Sequence, residues 1–389
     1  MSHQYRTFVS RPARGALGAL ETFMNQAALD LPIRSADVQA DPLLRAGFDI
    51  GWDHAHHGLV PPAELLLAGT PVCQGWMAGR AVFGRRTLGT ARQTRQWLAL
   101  RLLAWRQGIR FEVLEVTPNY LSQLHVARCP VLRVPLAGTS NQPEGSSVER
   151  LNSAAGYAAG NLVVMSRAAA LAAQGISVEQ AVRQACLLEG GAEFANGLNA
   201  AAWWRLACLL SFARPMPFAE AARLPLAVLP PNRVRLLNAP QGLQALVTRC
   251  FMAPGWAARC QALAQCLPAH SLRLDFNLFV GAIAPRVLEA GADPQALKLA
   301  LEDAWLQERV QRRWTHFVLS LGQGGTDALL ERALHKQLAG VRTVQHAAEQ
   351  ALEGWALADG GRVLPVAHTS RRPPPPLARP SITVSSALC

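Results

Sequence analysis

The sequence predicts a mainly α-helical fold that carries one small ββα module near its middle. Three observations lead there. Apolar residues recur at helical spacing through most of the chain, as at Leu297, Leu301 and Trp305. Capping residues, first-turn prolines and terminal glycines punctuate these stretches. The segment Val126–Leu136 breaks the helical period and is richer in Val and Pro, which suits short strands and a turn.

The elements follow in order. Residues 16–29 read as an amphipathic helix, and a long helix is expected over about 87–107. Thr117 is a good N-cap, with Pro118 at the first helical position of a short helix. After Asn161 a helix is expected to run to about Gln174 and to stop at Gly175. Ser177 and Gln180 have capping-box spacing and open the next helix. From about residue 195 helix follows helix, with a break at Leu224–Pro231. Asp293 caps what reads as one long helix, whose buried stripe runs through Trp305, Val310, Trp314, Phe317 and Leu321. Trp305 and Trp314 would then lie on opposite sides of that helix, which implies burial nearly all round. The resulting organisation is a helical region at 1–115, the ββα module with its following helix at 116–190, a helical domain at 191–358, and a disordered proline-rich tail at 359–389 that includes Arg371–Pro376.

Composition narrows the function. The 389 residues are 50% hydrophobic and 16% charged, the balance of a folded chain. The net charge of +12 favours polyanionic partners, nucleic acid first. Lysine occurs only as Lys298 and Lys336, and an Arg-for-Lys bias with abundant Ala, Gly and Pro is also what a GC-rich genome writes. The eight cysteines form no C-x-x-C pair, which argues against a zinc knuckle or a redox dithiol. They read as small hydrophobes in a reducing compartment. No apolar run reaches membrane-spanning length and the first residues hold no apolar signal core, so a soluble cytoplasmic protein with no membrane partner is expected.

Three pieces of sequence carry chemistry. They are Cys129-Pro-Val-Leu-Arg-Val-Pro-Leu136, Ser147-Val-Glu-Arg-Leu-Asn152, and Gly156-Tyr-Ala-Ala-Gly-Asn-Leu-Val-Val-Met-Ser166. In order and spacing they resemble a branch of the HNH endonuclease superfamily, with the pattern CPV-x-G-x-x-L, then S-x-D-R-[IL]-[DN], then GY-x-x-GN followed by a helix. The resemblance covers about 45 residues, Cys129 to Ala173. It implies a treble-clef-like ββα fold and, in the family, a divalent metal with an activated water. On this chain the family's metal-ligating carboxylate falls on Glu149, its base on Arg150 and its loop-bracing Asn on Asn161. The late helical Asn falls on Ala170, and the Lys after it on Ala173. Arginine stays protonated and cannot act as a base. The resemblance thus implies a vestigial catalytic pair, Glu149 and Asn161, with Glu149 at most a weak metal ligand.

Other candidates lie outside this match. On one continuous helix, Arg85, Arg92, Arg95 and Arg106 would fall within about 80° of one another, a face suited to phosphates; Arg150 would join them. A solvated face opposite Trp97, Leu98, Leu102 and Trp105 is the plainer reading. Asp49, Asp53, His54, His56 and His57 form a polar cluster that offers donors to a transition metal, although its spacing fits no zinc template. The expected function is nucleic-acid binding, DNA before RNA, without efficient cleavage. No cofactor is firmly implied, and a divalent metal ion would be needed only if cleavage is retained. One alternative is an active metal-dependent endonuclease using Glu149 and another base, such as His125 or a member of the 53–57 cluster. A second is a non-enzymatic helical interaction or regulatory protein.

Overall fold

In the computed structural model, the described residues are 41–137, 143–191, 193–291, 293–338 and 352–363. The helix expected at 16–29 and the proline run at 371–376 lie outside them. Residues 46–364 form one compact unit. The fold is mainly helical with one two-stranded antiparallel sheet. None of the described helices is long and apolar enough to cross a membrane.

Helices α1 (Pro42–His56), α2 (Pro71–Phe83) and α3 (Arg92–Arg106) precede the short α4 (Pro118–Gln123). The Thr117 hydroxyl caps α4 by accepting from the Tyr120 N–H, with Pro118 in the first turn, as the sequence indicated. Helix α3 is shorter than expected. Gly84 ends α2 at φ 55, and the chain stays non-helical until Ala91, whose extended backbone starts α3. Arg85 therefore does not share a helix with Arg92 and Arg95.

Strand β1 (Ser146–Arg150) pairs with β2 (Leu162–Ser166), Glu149 lying opposite Val163 and Val148 opposite Val164. The helix expected directly after Asn161 is thus replaced at first by a strand. Leu162-Val-Val-Met165 is buried on both faces, the pattern of a central strand, which a helical reading of a short apolar run cannot distinguish. The alternation explains it: Leu162 and Val164 enter the core beneath Trp97, Leu98 and Leu100 of α3, while Val163 and Met165 enter the core shared with the C-terminal helices. Ser166 then caps α5 (Arg167–Ala173), and the expected capping box of Ser177 and Gln180 opens α6 (Val178–Glu189).

The remaining helices are α7 (Ala200–Phe212), α8 (Phe218–Arg223), α9 (Ala239–Met252), α10 (Trp256–Ala264), α11 (His270–Ala290), α12 (Pro294–Ala304) and α13 (Glu308–His335). The helix expected from Asp293 is two helices. Asp293 caps α12 as anticipated, but the chain breaks before Glu308 and starts α13. The break folds Trp305 against Trp314, ring centroids 5.1 Å apart and edge to face, both fully buried. They share one core instead of facing opposite ways.

The boundary expected at 190/191 separates no cores. Cys129, Val131, Val163 and Met165 of the module pack in the same apolar cluster as Leu206, Leu246 and Trp314. The tail boundary at 359 also moves. Trp355 is buried, and the Gly156 N–H donates to its carbonyl at 2.8 Å. The Arg110 N–H donates to the Gly361 carbonyl, and the Val363 N–H to the Gly108 carbonyl. Residues 355–363 therefore pack back onto Gly108, Arg110 and Gly156.

Candidate nucleic-acid interface

Residues 151–161 connect the two strands, and Asn161 braces them. Its Oδ1 accepts from the Asn152 N–H at 2.8 Å, and its Nδ2 donates to the carbonyls of Asn152 and Gly156. Asn161 is fully buried, and it satisfies the Asn152 N–H and the Gly156 carbonyl inside the loop. The two glycines of the segment are sterically required. A Cβ on Gly156 would sit 2.6 Å from the Arg110 carbonyl oxygen; Gly160 has φ +89 and would press on Arg235. The Gly160 N–H donates to the Tyr120 hydroxyl, and the Ala159 N–H to Glu112.

Cys129 fastens the other end of the module. The Arg133 N–H donates to the Cys129 carbonyl and the Cys129 N–H to the Val134 carbonyl, which closes the turn expected in Val126–Leu136, but the short strands expected there reduce to a single bridge between Arg128 and Pro135. The Cys129 Sγ accepts from the Leu132 N–H and from both the N–H and the hydroxyl of Ser166, at 3.3 to 3.4 Å. Ser166 is the N-cap of α5, so one thiol joins turn, strand end and helix start.

Glu149, Arg150, Arg167 and Ala170 line one open depression of about 350 Å³, closed at one side by Leu103 and Gln107 from the end of α3. The positions that the HNH resemblance singled out around the metal thus share one surface. Arg167 was not foreseen; its place directly after a Ser N-cap was the available signal. It is exposed and forms no ion pair among the described residues.

The chemistry of the depression is one-sided. Glu149 is the sole carboxylate lining it among the described residues, and it accepts from the Ser147 hydroxyl. No histidine lines it. His125 is exposed just past α4 and is not part of it. Arg150 donates to the carbonyls of Ser153 and Ala155 at 2.9 and 2.6 Å and lies 5.1 Å from the Tyr157 ring centre. It therefore supports the loop, and only the remainder of its guanidinium is left to meet a ligand. A metal fits poorly: one carboxylate with waters is a weak site, and Ala170 offers no donor. Among the described residues no group of three or more His, Cys, Asp or Glu is placed to hold a metal ion.

That statement covers the 53–57 cluster too. Asp53 is paired with Arg101, which is buried and lies 4.4 Å from the Trp97 ring centre. The His54 Nδ1 meets the Ile50 carbonyl at 2.7 Å, and the His56 ring stacks on Phe83. The cluster does not converge; it joins α1 to α2 and α3. Burial holds His54 below its ordinary pKa, and the nearby Arg101 charge adds to this.

The arginine face is also smaller than expected. Arg106 pairs with Glu64, and Arg85 lies off the helix. Arg92 and Arg95 remain exposed without ion pairs among the described residues. Arg95 lies about 12 Å along α3 from Leu103 at the rim of the depression, at about 1.5 Å per residue.

No protein-family model, no curated protein and no solved structure matches this chain.

Proposed function

We propose that the chain binds nucleic acid across the hairpin–helix face and does not cut it. One observation carries this reading: two arginines, Arg150 and Arg167, share a depression with a single carboxylate and no histidine, so one group would have to serve both as metal ligand and as base. Arginine forks suit phosphate oxygens, and the exposed Arg92 and Arg95 extend the positive surface along α3. Hydrolysis needs a base for the water and a cation at the leaving oxygen. Arg150 cannot be the base, and Ala170 completes no metal shell.

The test pairs a gel-shift titration of duplex DNA with incubation of supercoiled plasmid in magnesium, manganese, nickel or zinc. The proposal expects retarded duplex, weakened retardation for Arg167→Ala, and intact plasmid. Nicking by wild type that Glu149→Ala abolishes would instead establish an endonuclease. Absence of retardation at low salt would leave the helical interaction protein.

A further inference from the structure

A second cleft, of about 590 Å³, lies between the Cys129 turn, the segment after Val228, and helices α9 and α12. It shares no lining residue with the hairpin depression. Arg128, Arg133, Arg249 and Lys298 line it. Beneath it Arg205 is buried, its Nε donating to the Val131 carbonyl at 2.6 Å. Burial, and then the neighbouring Arg133 charge, bring Arg205 down to about 10.

Two carboxylates face these five cations. Glu302, only 2% exposed, accepts from the Leu229 N–H at 2.9 Å and from Arg133 at 3.2 Å, and stands 3.8 Å from Lys298. Asp303 pairs with Arg133 at 2.7 Å. Arg128 donates to the Arg133 carbonyl, and neither Arg128 nor Arg249 has a carboxylate partner among the described residues. The Arg133 Nε is buried without a partner. Clustered charge of one sign is mutually repulsive unless an opposite charge meets it.

The backbone adds an independent observation. Arg133 has φ 61, the left-handed region, where the resembling pattern has glycine. A non-glycine residue in that region is strained, because its Cβ crowds the following carbonyl oxygen. A charged side chain is thus held beside the cleft at a position where glycine would be less strained.

We propose that this cleft binds a phosphate ester of nucleotide size, with Arg128, Arg249 and Lys298 meeting the phosphate oxygens and Val228, Leu229 and Met252 bordering the sugar or base. The charge excess matches a phosphate group, arginine forks suit its oxygens, and the volume falls in the range of about 300–1,000 Å³ typical of small-molecule sites. The source of the phosphate is either a free nucleotide or the end of a nucleic-acid strand. The inference does not rest on the hairpin face, because it uses other residues.

Isothermal titration of the full chain tests it with ATP, adenosine, inorganic triphosphate and a 5′-phosphorylated trinucleotide. ATP or the trinucleotide is expected to bind, and adenosine is not. Arg249→Ala and Arg128→Ala should each weaken binding about tenfold or more, since a charge-assisted hydrogen bond contributes about 1.5–3 kcal/mol. Both side chains are exposed, so melting temperatures should stay near wild type and separate lost binding from lost folding. Arg167→Ala, on the hairpin face, should leave this binding unchanged. A tighter trinucleotide assigns the strand end, and tighter ATP the free nucleotide. The proposal is overturned if neither phosphate ester binds, if Arg249→Ala and Arg128→Ala bind as wild type does, or if inorganic triphosphate matches ATP.

Discussion

Single residues of the hairpin do structural tasks that differ in how far the sequence discloses them. The bracing position of Asn161 was legible only through the resemblance, whose loop-bracing Asn falls there, and its side chain does bridge the loop backbone. Asn161→Ala should cost about 1–3 kcal/mol in urea unfolding by leaving buried groups unpaired; a loss near zero would mean that the loop has other support. The inward use of Arg150 was not legible, because the carbonyls it meets belong to a loop whose path only the fold defines. The pairing of Asp53 with Arg101 was hidden for the same reason. His54 carries a pH dependence. Its folded pKa lies below the ordinary 6.5, so between those values the unfolded chain binds more protons than the folded one. Stability from this group is fully present above 6.5 and is lost as pH falls towards the folded value. The melting temperature should therefore decline on acidification below about 6.5, and less so in His54→Gln. An identical decline in the variant would assign the effect to other groups.

At the scale of elements, caps and the proline-marked break at Leu224–Pro231 were readable, and the break before Glu308 was not. Thr117, Ser177 and Asp293 act as N-caps where the sequence placed them, because a capping hydroxyl or carboxylate needs only its own next turn. Strand β2 and the interruption between α12 and α13 depend on distant partners. Leu162–Ser166 is a strand because β1 and two cores flank it, and α12 ends so that Trp305 can meet Trp314, Phe279 and the Thr248 hydroxyl. This packing sets the consequence of truncation. Trp314→Ala should destabilise the protein by about 3–5 kcal/mol through cavity formation. In the wild type iodide should quench neither Trp305 nor Trp314, as single-tryptophan variants would reveal. Efficient quenching at either position would contradict the shared core.

At the scale of the whole molecule, a mainly helical class with one small sheet was legible, whereas the place of the second strand and the division into domains were not. Hydrophobic periodicity says that a face is buried but not against what, so the module looked separable although its inner face completes the core of the C-terminal helices. The net charge of +12 was likewise visible only as a sum. The fold spends part of it internally, on Asp53, Glu64 and Glu302, and leaves Arg92, Arg95 and Arg167 exposed. Whether that exposed charge meets phosphate is the central claim, and the salt dependence of duplex binding by fluorescence anisotropy tests it most directly. Wild type should lose affinity linearly on a log–log plot, with a slope of about −0.9 for each phosphate contacted, and Arg92→Ala/Arg95→Ala/Arg167→Ala should bind more weakly with a slope shallower by about two to three. Equal affinity and equal slope in the triple variant would contradict the account.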